Sequence, residues 1–194
     1  MNKIIKNSLF ILVNPLSAIR SVKSSSLKED LLYFIFTAFI GSLFYLLAFY
    51  IARADSNMLI NSNSGFAGAF ILFATGFFSF ITGGIFLILI VSLIVQFFLL
   101  FTKTGAGKYD DTLKGVIYSA SPVILFLWLT NFIEAYYVLL LLLVWFAVLT
   151  CICLRILKDK TNVQSVVVTL LISAVLYGLI YYNYGLSQCL SWVA

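Results

Sequence analysis

The chain has 194 residues, of which 63% are apolar and only 10% are charged, and its mean hydropathy is +1.11. A soluble domain carries about 25% charged residues, so this composition excludes a water-soluble fold and predicts an all-α integral membrane protein. The formal net charge of +5 comes from basic residues that flank the apolar stretches. That position is typical of cytoplasmic membrane loops in contact with lipid, so we predict no nucleic-acid partner.

The first 29 residues predict a short amphipathic helix on the cytoplasmic side. Asn14 and Pro15 are suited to the N-cap and the first helical position, and Leu16, Ile19 and Val22 then share one face. A basic helix lying on the membrane surface is the interpretation that we favour. Docking of this helix on a protein partner is the alternative.

The remainder, residues 30–194, predicts a membrane domain with five transmembrane helices, because a span needs about 20 apolar residues. The predicted spans are about 31–52, 77–101, 115–132, 135–154 and 163–184. Three of them follow a capping-box spacing, formed by Ser26 with Glu29, Asn131 with Glu134, and Thr161 with Gln164.

The second span is ambiguous, because residues 66–101 carry no charge and one helix of that length would be about 54 Å long against an apolar core of about 30 Å. Two short spans turning at Gly83-Gly84 would be the alternative. Two spans would place the later basic loops outside, against the positive-inside tendency. We therefore predict one span, preceded by an interfacial or re-entrant piece at 65–76.

Charge placement predicts the orientation. Between the apolar stretches, the twelve basic residues are distributed 5, 1, 3, 0, 3, 0 along the chain. This alternation favours a cytoplasmic N-terminus and an outer C-terminus.

Two groups of residues are candidates for a functional role. The first is the cytoplasmic loop before the third span, whose exposed residues would bind a partner: Lys103, Lys108, Tyr109, Asp110, Asp111 and Lys114. The second is a predicted kink with a polar spot, since Pro122 leaves the carbonyl four residues back without its helical donor; it comprises Tyr118, Ser119, Ser121 and Pro122, together with Gln96 of the second span.

Small residues recur at Thr75, Ser79 and Gly83. This spacing indicates a helix-packing face, either within the chain or between copies, so oligomerisation stays open.

Catalysis is not predicted. The chain contains no histidine, which a serine intramembrane protease would need as a base, and its seven acidic residues lie in loops or at span ends. Cys151 and Cys153 are interpreted as small apolar residues of a helix. We predict no metal and no cofactor.

The chain resembles the Yip family of membrane proteins, which is named for interaction with Ypt/Rab-type small GTPases. The resemblance is carried by Leu12-Val13-Asn14-Pro15 with Ile19 and Val22-Lys23, and by the central stretch from Gly105 to Pro122, GAGKYDDTLKGVIYSASP. It implies a cytosolic N-terminus, five spans and an outer C-terminus, and in eukaryotic members a role in vesicle traffic. The Asp-Leu-Tyr-Gly-Pro signature and the long cytosolic N-terminal region of those members are missing. The chain therefore looks like a prokaryotic relative in the cell membrane, and GTPase binding is assigned to no residue.

The leading hypothesis is a non-enzymatic membrane protein that organises membrane or recruits a cytosolic or membrane protein partner. The alternative is a passive carrier or lipid-translocating protein that uses the kinked third span and Gln96.

Overall fold

The computed structural model describes residues 14–52, 65–102 and 107–185. Within these ranges the chain is helical and contains no strand. The helices are α1 (Pro15–Val22), α2 (Leu27–Ala52), α3 (Gly65–Phe101), α4 (Tyr109–Phe126), α5 (Ala135–Leu157) and α6 (Asn162–Ile180); a 3-10 turn (Leu127–Asn131) follows α4 and a π-helical turn (Tyr181–Gly185) follows α6.

Five of these helices are long and apolar enough to cross a membrane, which confirms the predicted all-α multi-pass architecture. We call the end of the bundle where α2, α4 and α6 begin the α1 end, because α1 packs there. The opposite end, where α5 begins, is the far end. Helix α4 is the central element, since it contacts α2, α3 and α5 and is the most deeply buried of the five.

Helix α3 runs without a break through Gly83 and Gly84, over 37 residues. The alternative of two short spans is therefore wrong. Residues 65–76, predicted as an interfacial or re-entrant piece, form the first turns of the same helix. A run of apolar residues with no proline and no charge offers nothing that would end a helix, and isolated glycines only weaken one.

Helix α4 begins at Tyr109, six residues before the predicted start at 115. Asp110 and Asp111 occupy its first turn, where negative charge is favourable to the helix dipole. The residues from 109 to 114 are consequently helical, and only the segment before them connects α3 to α4.

Two of the three capping boxes are confirmed by reciprocal hydrogen bonds, each 3.3 Å long, between Ser26 and Glu29 and between Thr161 and Gln164. The third is wrong. Helix α5 begins after Glu134 with no side-chain cap, and the Asn131 amide instead donates to the Trp128 carbonyl. The bond keeps that side chain within its own 3-10 turn.

The predicted cap of α1 is confirmed, because Asn14 accepts a bond from the Ser17 amide. The predicted location of its apolar face is not confirmed. Ile19 and Val22 are buried in the core of the bundle, and α1 packs against α5, while Leu16 remains exposed. Most of the face that was predicted to contact lipid or a partner thus packs against the bundle.

The small-residue face of α3 is exposed. Thr75, Ser79 and Gly83 are exposed, and a Cβ atom at Gly83 would meet nothing within 4 Å. The close approach between helices occurs instead at Gly41 of α2, where a Cβ would lie 2.7 Å from the carbonyl oxygen of Ile124.

Candidate functional site

A buried ion pair joins α2 to α4 at the α1 end. The carboxylate of Asp30 is fully buried and lies 3.6 Å from the Lys114 ammonium. It also accepts hydrogen bonds from the Tyr118 hydroxyl at 2.8 Å and from the Ser25 hydroxyl at 2.7 Å. The Tyr118 ring stacks on Tyr33 with centroids 4.6 Å apart.

The Lys114 ammonium has a second partner, the backbone carbonyl of Ser25 in the α1–α2 connection. Charges removed from water destabilise a protein unless they are paired and hydrogen-bonded, and both charges here meet that condition. The cluster of Ser25, Asp30, Lys114 and Tyr118, called the Asp30 cluster below, therefore fixes α2, α4 and the segment leading from α1 in one arrangement.

A second polar cluster, called the Lys158 cluster, joins the ends of three helices. The Lys158 ammonium donates to the Lys108 carbonyl at 2.5 Å and lies 3.4 Å from the amide oxygen of Gln96. The same Gln96 oxygen accepts from the Thr112 hydroxyl at 2.5 Å. Helices α3, α4 and α5 are thus tied together through one amide side chain.

Gly107 lies beside the Lys158 side chain. Its φ of +59° belongs to the left-handed region, which favours glycine, while a Cβ there would lie 3.4 Å from the Lys158 side chain, an ordinary contact distance. The backbone conformation, and not a lack of space, therefore favours glycine at this position.

Burial lowers the pKa of Lys158 from 10.5 to about 8; the nearby Asp111 carboxylate opposes this shift and Lys160 reinforces it. Desolvation disfavours the ammonium form. A substantial fraction of the Lys158 side chains is therefore uncharged when the pH is near its pKa of about 8. Lys158 also lines a cavity of about 10 Å³ with Thr112 and Thr150, a volume on the scale of one water molecule.

A third, exposed contact links α1 to the α5–α6 connection. The Lys23 ammonium forms a salt bridge with Asp159 at 2.8 Å. Exposed pairs of this kind contribute about 0–1 kcal/mol, so the burial of Ile19 and Val22 is the larger contribution to holding α1 in place.

The predicted partner-binding residues differ in how far they are exposed. Lys108 and Asp110 are exposed, and Tyr109 and Asp111 are half-buried on the same helical turn. The prediction that Lys114 is exposed is wrong. Its exposed fraction is 7%, because helix α4 begins early and places this side chain beside Asp30. Lys103 lies outside the described residues.

The residues of the predicted polar spot at Pro122 form hydrogen bonds in different places. Ser119 donates to the Gly115 carbonyl at 2.8 Å, and Ser121 donates to the Ile117 carbonyl at 2.9 Å. Neither bond reaches the Tyr118 carbonyl that Pro122 leaves without its helical donor. The helix continues past Pro122 to Phe126 and only then becomes a 3-10 turn.

Gln96 does not lie with these serines, since its partners are Thr112 and Lys158. Tyr118 belongs to the Asp30 cluster through its hydroxyl. Cys153 is buried as expected, within 3.7 Å of the Ser119 hydroxyl. The five residues grouped by sequence therefore do not form one polar spot.

Sequence reasoning missed Asp30, Thr112 and Lys158 as buried polar residues. The sequence analysis placed Asp30 only among the acidic residues in loops or at span ends, and Lys158 only among the basic residues that flank the apolar stretches. Asp30 and Lys158 each lie at the boundary of an apolar stretch, where a charged side chain can turn toward a neighbouring helix. This position is the one indication of their burial that the sequence offers. The sequence held no information on which neighbour that would be.

Charge is segregated along the bundle. In the described ranges every Lys and Arg lies at or near the α1 end, and Glu134 is the one charged residue near the far end. The far end and the middle of the helices present apolar side chains outward, as expected of lipid-facing surface.

Comparison with known proteins agrees with this architecture. The family model for the Yip1 domain matches residues 9–182, and no curated protein and no solved structure matches this chain. The matched range contains both polar clusters and all five spanning helices. The chain therefore belongs to the Yip1 domain family and is an integral, multi-pass membrane protein.

Proposed function

We propose that this protein is a non-enzymatic membrane protein that recruits a protein partner through the α1 end of its bundle. The observation that supports this most directly is the concentration of exposed charge at that end, on helix ends that buried polar contacts hold in place. Such a surface suits charge-complementary recognition, in which charged groups set partner choice and association rate.

The proposed face has both signs of charge. Lys108 and Asp110 at the start of α4 are exposed, and Arg20 of α1 and Arg155 of α5 are exposed as well. The Lys158 cluster holds the Lys108 backbone, so the side chains of this turn are presented from a fixed position. Preorganisation of this kind reduces the entropy that binding would otherwise cost.

We place this face in the cytoplasm, because the basic residues gather there and cytoplasmic loops are enriched in Lys and Arg. The orientation is tested with Lys108→Cys and Glu134→Cys, each in a background in which the three native cysteines, Cys151, Cys153 and Cys189, are replaced by alanine. A membrane-impermeant maleimide added to intact cells should label Glu134→Cys and leave Lys108→Cys unlabelled until the membrane is opened. The reverse pattern would overturn the orientation.

Partner recruitment is tested by site-specific photocrosslinking in native membranes. A photoreactive amino acid at Lys108 or Asp110 should give a discrete adduct that the same group at Glu134 does not give. When the photoreactive amino acid is at position 108, the additional change Asp110→Lys should lower the yield of the adduct several-fold at equal expression. Adducts of equal yield at both ends, or none at either, would contradict the proposal.

Lipid translocation along the third span has less support. Its two polar elements, Ser119 to Pro122 and Gln96, do not line a common path, because the serines donate within their own helix and Gln96 is engaged by Thr112 and Lys158. We therefore retain partner recruitment as the single proposed function.

A further inference from the structure

The far half of the bundle contains an apolar groove with a volume of about 530 Å³ between α3, α4, α5 and α6. Its floor is formed by buried side chains, among them Val116, Leu142 and Phe146. Leu87 of α3 and Leu179 of α6 line its opening and are more than half exposed. The volume falls within the usual range of small-molecule sites, about 300–1,000 Å³.

The groove opens toward lipid, because the helices on both sides of its mouth are spanning helices with exposed apolar side chains. Water does not suit it, since a bound water needs 2–4 polar partners. Asn183 is the one polar residue in its lining, and its amide group donates to the Leu179 carbonyl at 2.8 Å. An unfilled groove would forfeit dispersion contacts along its walls.

The polarity of the groove changes along its length. On α6 its lining extends from Leu176 to Asn183, which is about 10 Å at 1.5 Å per residue, and the apolar span also ends at Asn183. Half of a bilayer core is about 15 Å deep. On α4 the lining reaches Val116, 15 residues from the far end of that span at Asn131, which is about 22 Å at 1.5 Å per residue. The groove therefore extends from its polar residue, at the level of the headgroups, past the bilayer centre.

We propose that this groove binds one acyl chain of a glycerophospholipid from the leaflet at the far end. The lipid headgroup lies beside Asn183, and the chain extends past Leu179 toward Val116 and Phe146. The bilayer supplies this occupant at high local concentration, and a flexible chain conforms to an irregular apolar wall. This proposal is independent of partner recruitment at the opposite end.

The first test is native mass spectrometry of the full chain, purified in a mild detergent with a defined phospholipid. The wild type should retain one phospholipid. Ala120→Trp, which fills the groove lining, should lose it, whereas Leu141→Trp, at an exposed position of α5 outside the groove, should retain it. Retention of a free fatty acid in place of a phospholipid would overturn the assignment, as would equal retention by all three proteins.

The second test needs no substitution and therefore does not depend on the folding of a variant. A phospholipid with a photoreactive group at the end of one acyl chain is incorporated into liposomes with the wild-type protein. The label should concentrate on peptides that contain Val116, Leu142 or Phe146. A uniform distribution over exposed residues such as Leu141 and Val144 would overturn the proposal. So would a dimer that Ala120→Trp dissociates, because a second copy would then occupy the groove.

Discussion

The two halves of this bundle are held together by different interactions. At the α1 end, two buried polar clusters connect the helix ends through directional contacts, and three helices begin with a side-chain cap. In the far half the walls of a wide groove are apolar, and helix α5 starts without a side-chain cap. Directional contacts specify one arrangement, whereas apolar contacts in lipid leave helices more freedom.

The difference is consistent with the two proposals made above. The half with buried polar contacts would present a fixed surface to a partner, and the half with the groove would contain lipid. Since lipid tails are as apolar as the side chains of the groove, helices there gain little from packing against each other rather than against an acyl chain. The predictions below compare the two halves, from the largest expected effect to the smallest.

The largest effect is expected from Asp30→Asn. The variant preserves the shape of the side chain but leaves the buried Lys114 ammonium without its counter-charge, and breaking a buried pair destabilises a protein by about 3–5 kcal/mol. The free energy of unfolding in mixed detergent micelles measures the loss. Asp159→Asn, which breaks the exposed pair with Lys23, is the control and should cost about 0–1 kcal/mol. Equal losses would show that the Asp30 cluster does not organise the α1 end.

A smaller loss is expected from Gly41→Ala, which tests whether the far half has a tight contact of its own. The new Cβ would lie 2.7 Å from both the carbonyl oxygen and a methyl group of Ile124. Overpacking of this kind costs about 1–3 kcal/mol.

Gly83→Ala is the matched control for this variant. Its Cβ would meet nothing within 4 Å, so it should be neutral or stabilising by up to about 1 kcal/mol through helix propensity. The midpoint of thermal unfolding should fall for Gly41→Ala and should stay unchanged or rise for Gly83→Ala. A large loss at Gly83 would instead indicate that this exposed face packs between copies.

The two ends are compared directly by Thr161→Ala and Glu134→Ala. Thr161 caps α6 at the α1 end, and loss of such a cap costs typically about 1 kcal/mol. Glu134 precedes α5 and makes no side-chain cap, so its removal should not speed the hydrogen exchange of the first turn of α5. Hydrogen exchange of the first turns of α5 and α6 gives a local measurement. Faster exchange in the first turns of both α5 and α6 would show that the two ends of the bundle do not differ in side-chain capping.

A pH dependence due to Lys158 completes the comparison. Its pKa in the folded protein is about 8, against 10.5 for an unperturbed lysine. Between these values the unfolded chain binds more protons than the folded one, so stability increases as the pH rises from about 8 to about 10.5. Lys158→Met should remove this increase. The difference between wild type and variant, measured across this range, isolates Lys158 from other titrating groups.

Several local features could be predicted because their causes are local. The caps at Asn14, at Ser26 with Glu29 and at Thr161 with Gln164 depend on residues three apart, and all three are present. The cap at Asn131 failed because the 3-10 turn after α4 engages its amide with Trp128. The exposure predicted for Lys114 failed because the start of α4 lies six residues earlier than the hydropathy pattern indicates.

The polar clusters could not have been predicted in this way. Asp30 and Lys114 are 84 positions apart in the chain, and so are not related by any helical periodicity. Gln96 was identified as an unusual polar residue within a span, but its partners come from two other helices. The spanning helices α2 and α4 nevertheless bury an ion pair, because charged side chains near their first turns point inward where the two helices meet.

By itself, the sequence determined the membrane setting, the five helices and the distribution of charge, since these follow from hydropathy summed over some 20 residues and from local caps. Tertiary structure decided that the apolar face of α1 packs on the bundle, that Lys158 ties three helices together, and that α3 and α6 enclose a groove. These outcomes depend on which helices become neighbours, and in an apolar medium that choice rests on a few close approaches and polar contacts between residues distant in the chain.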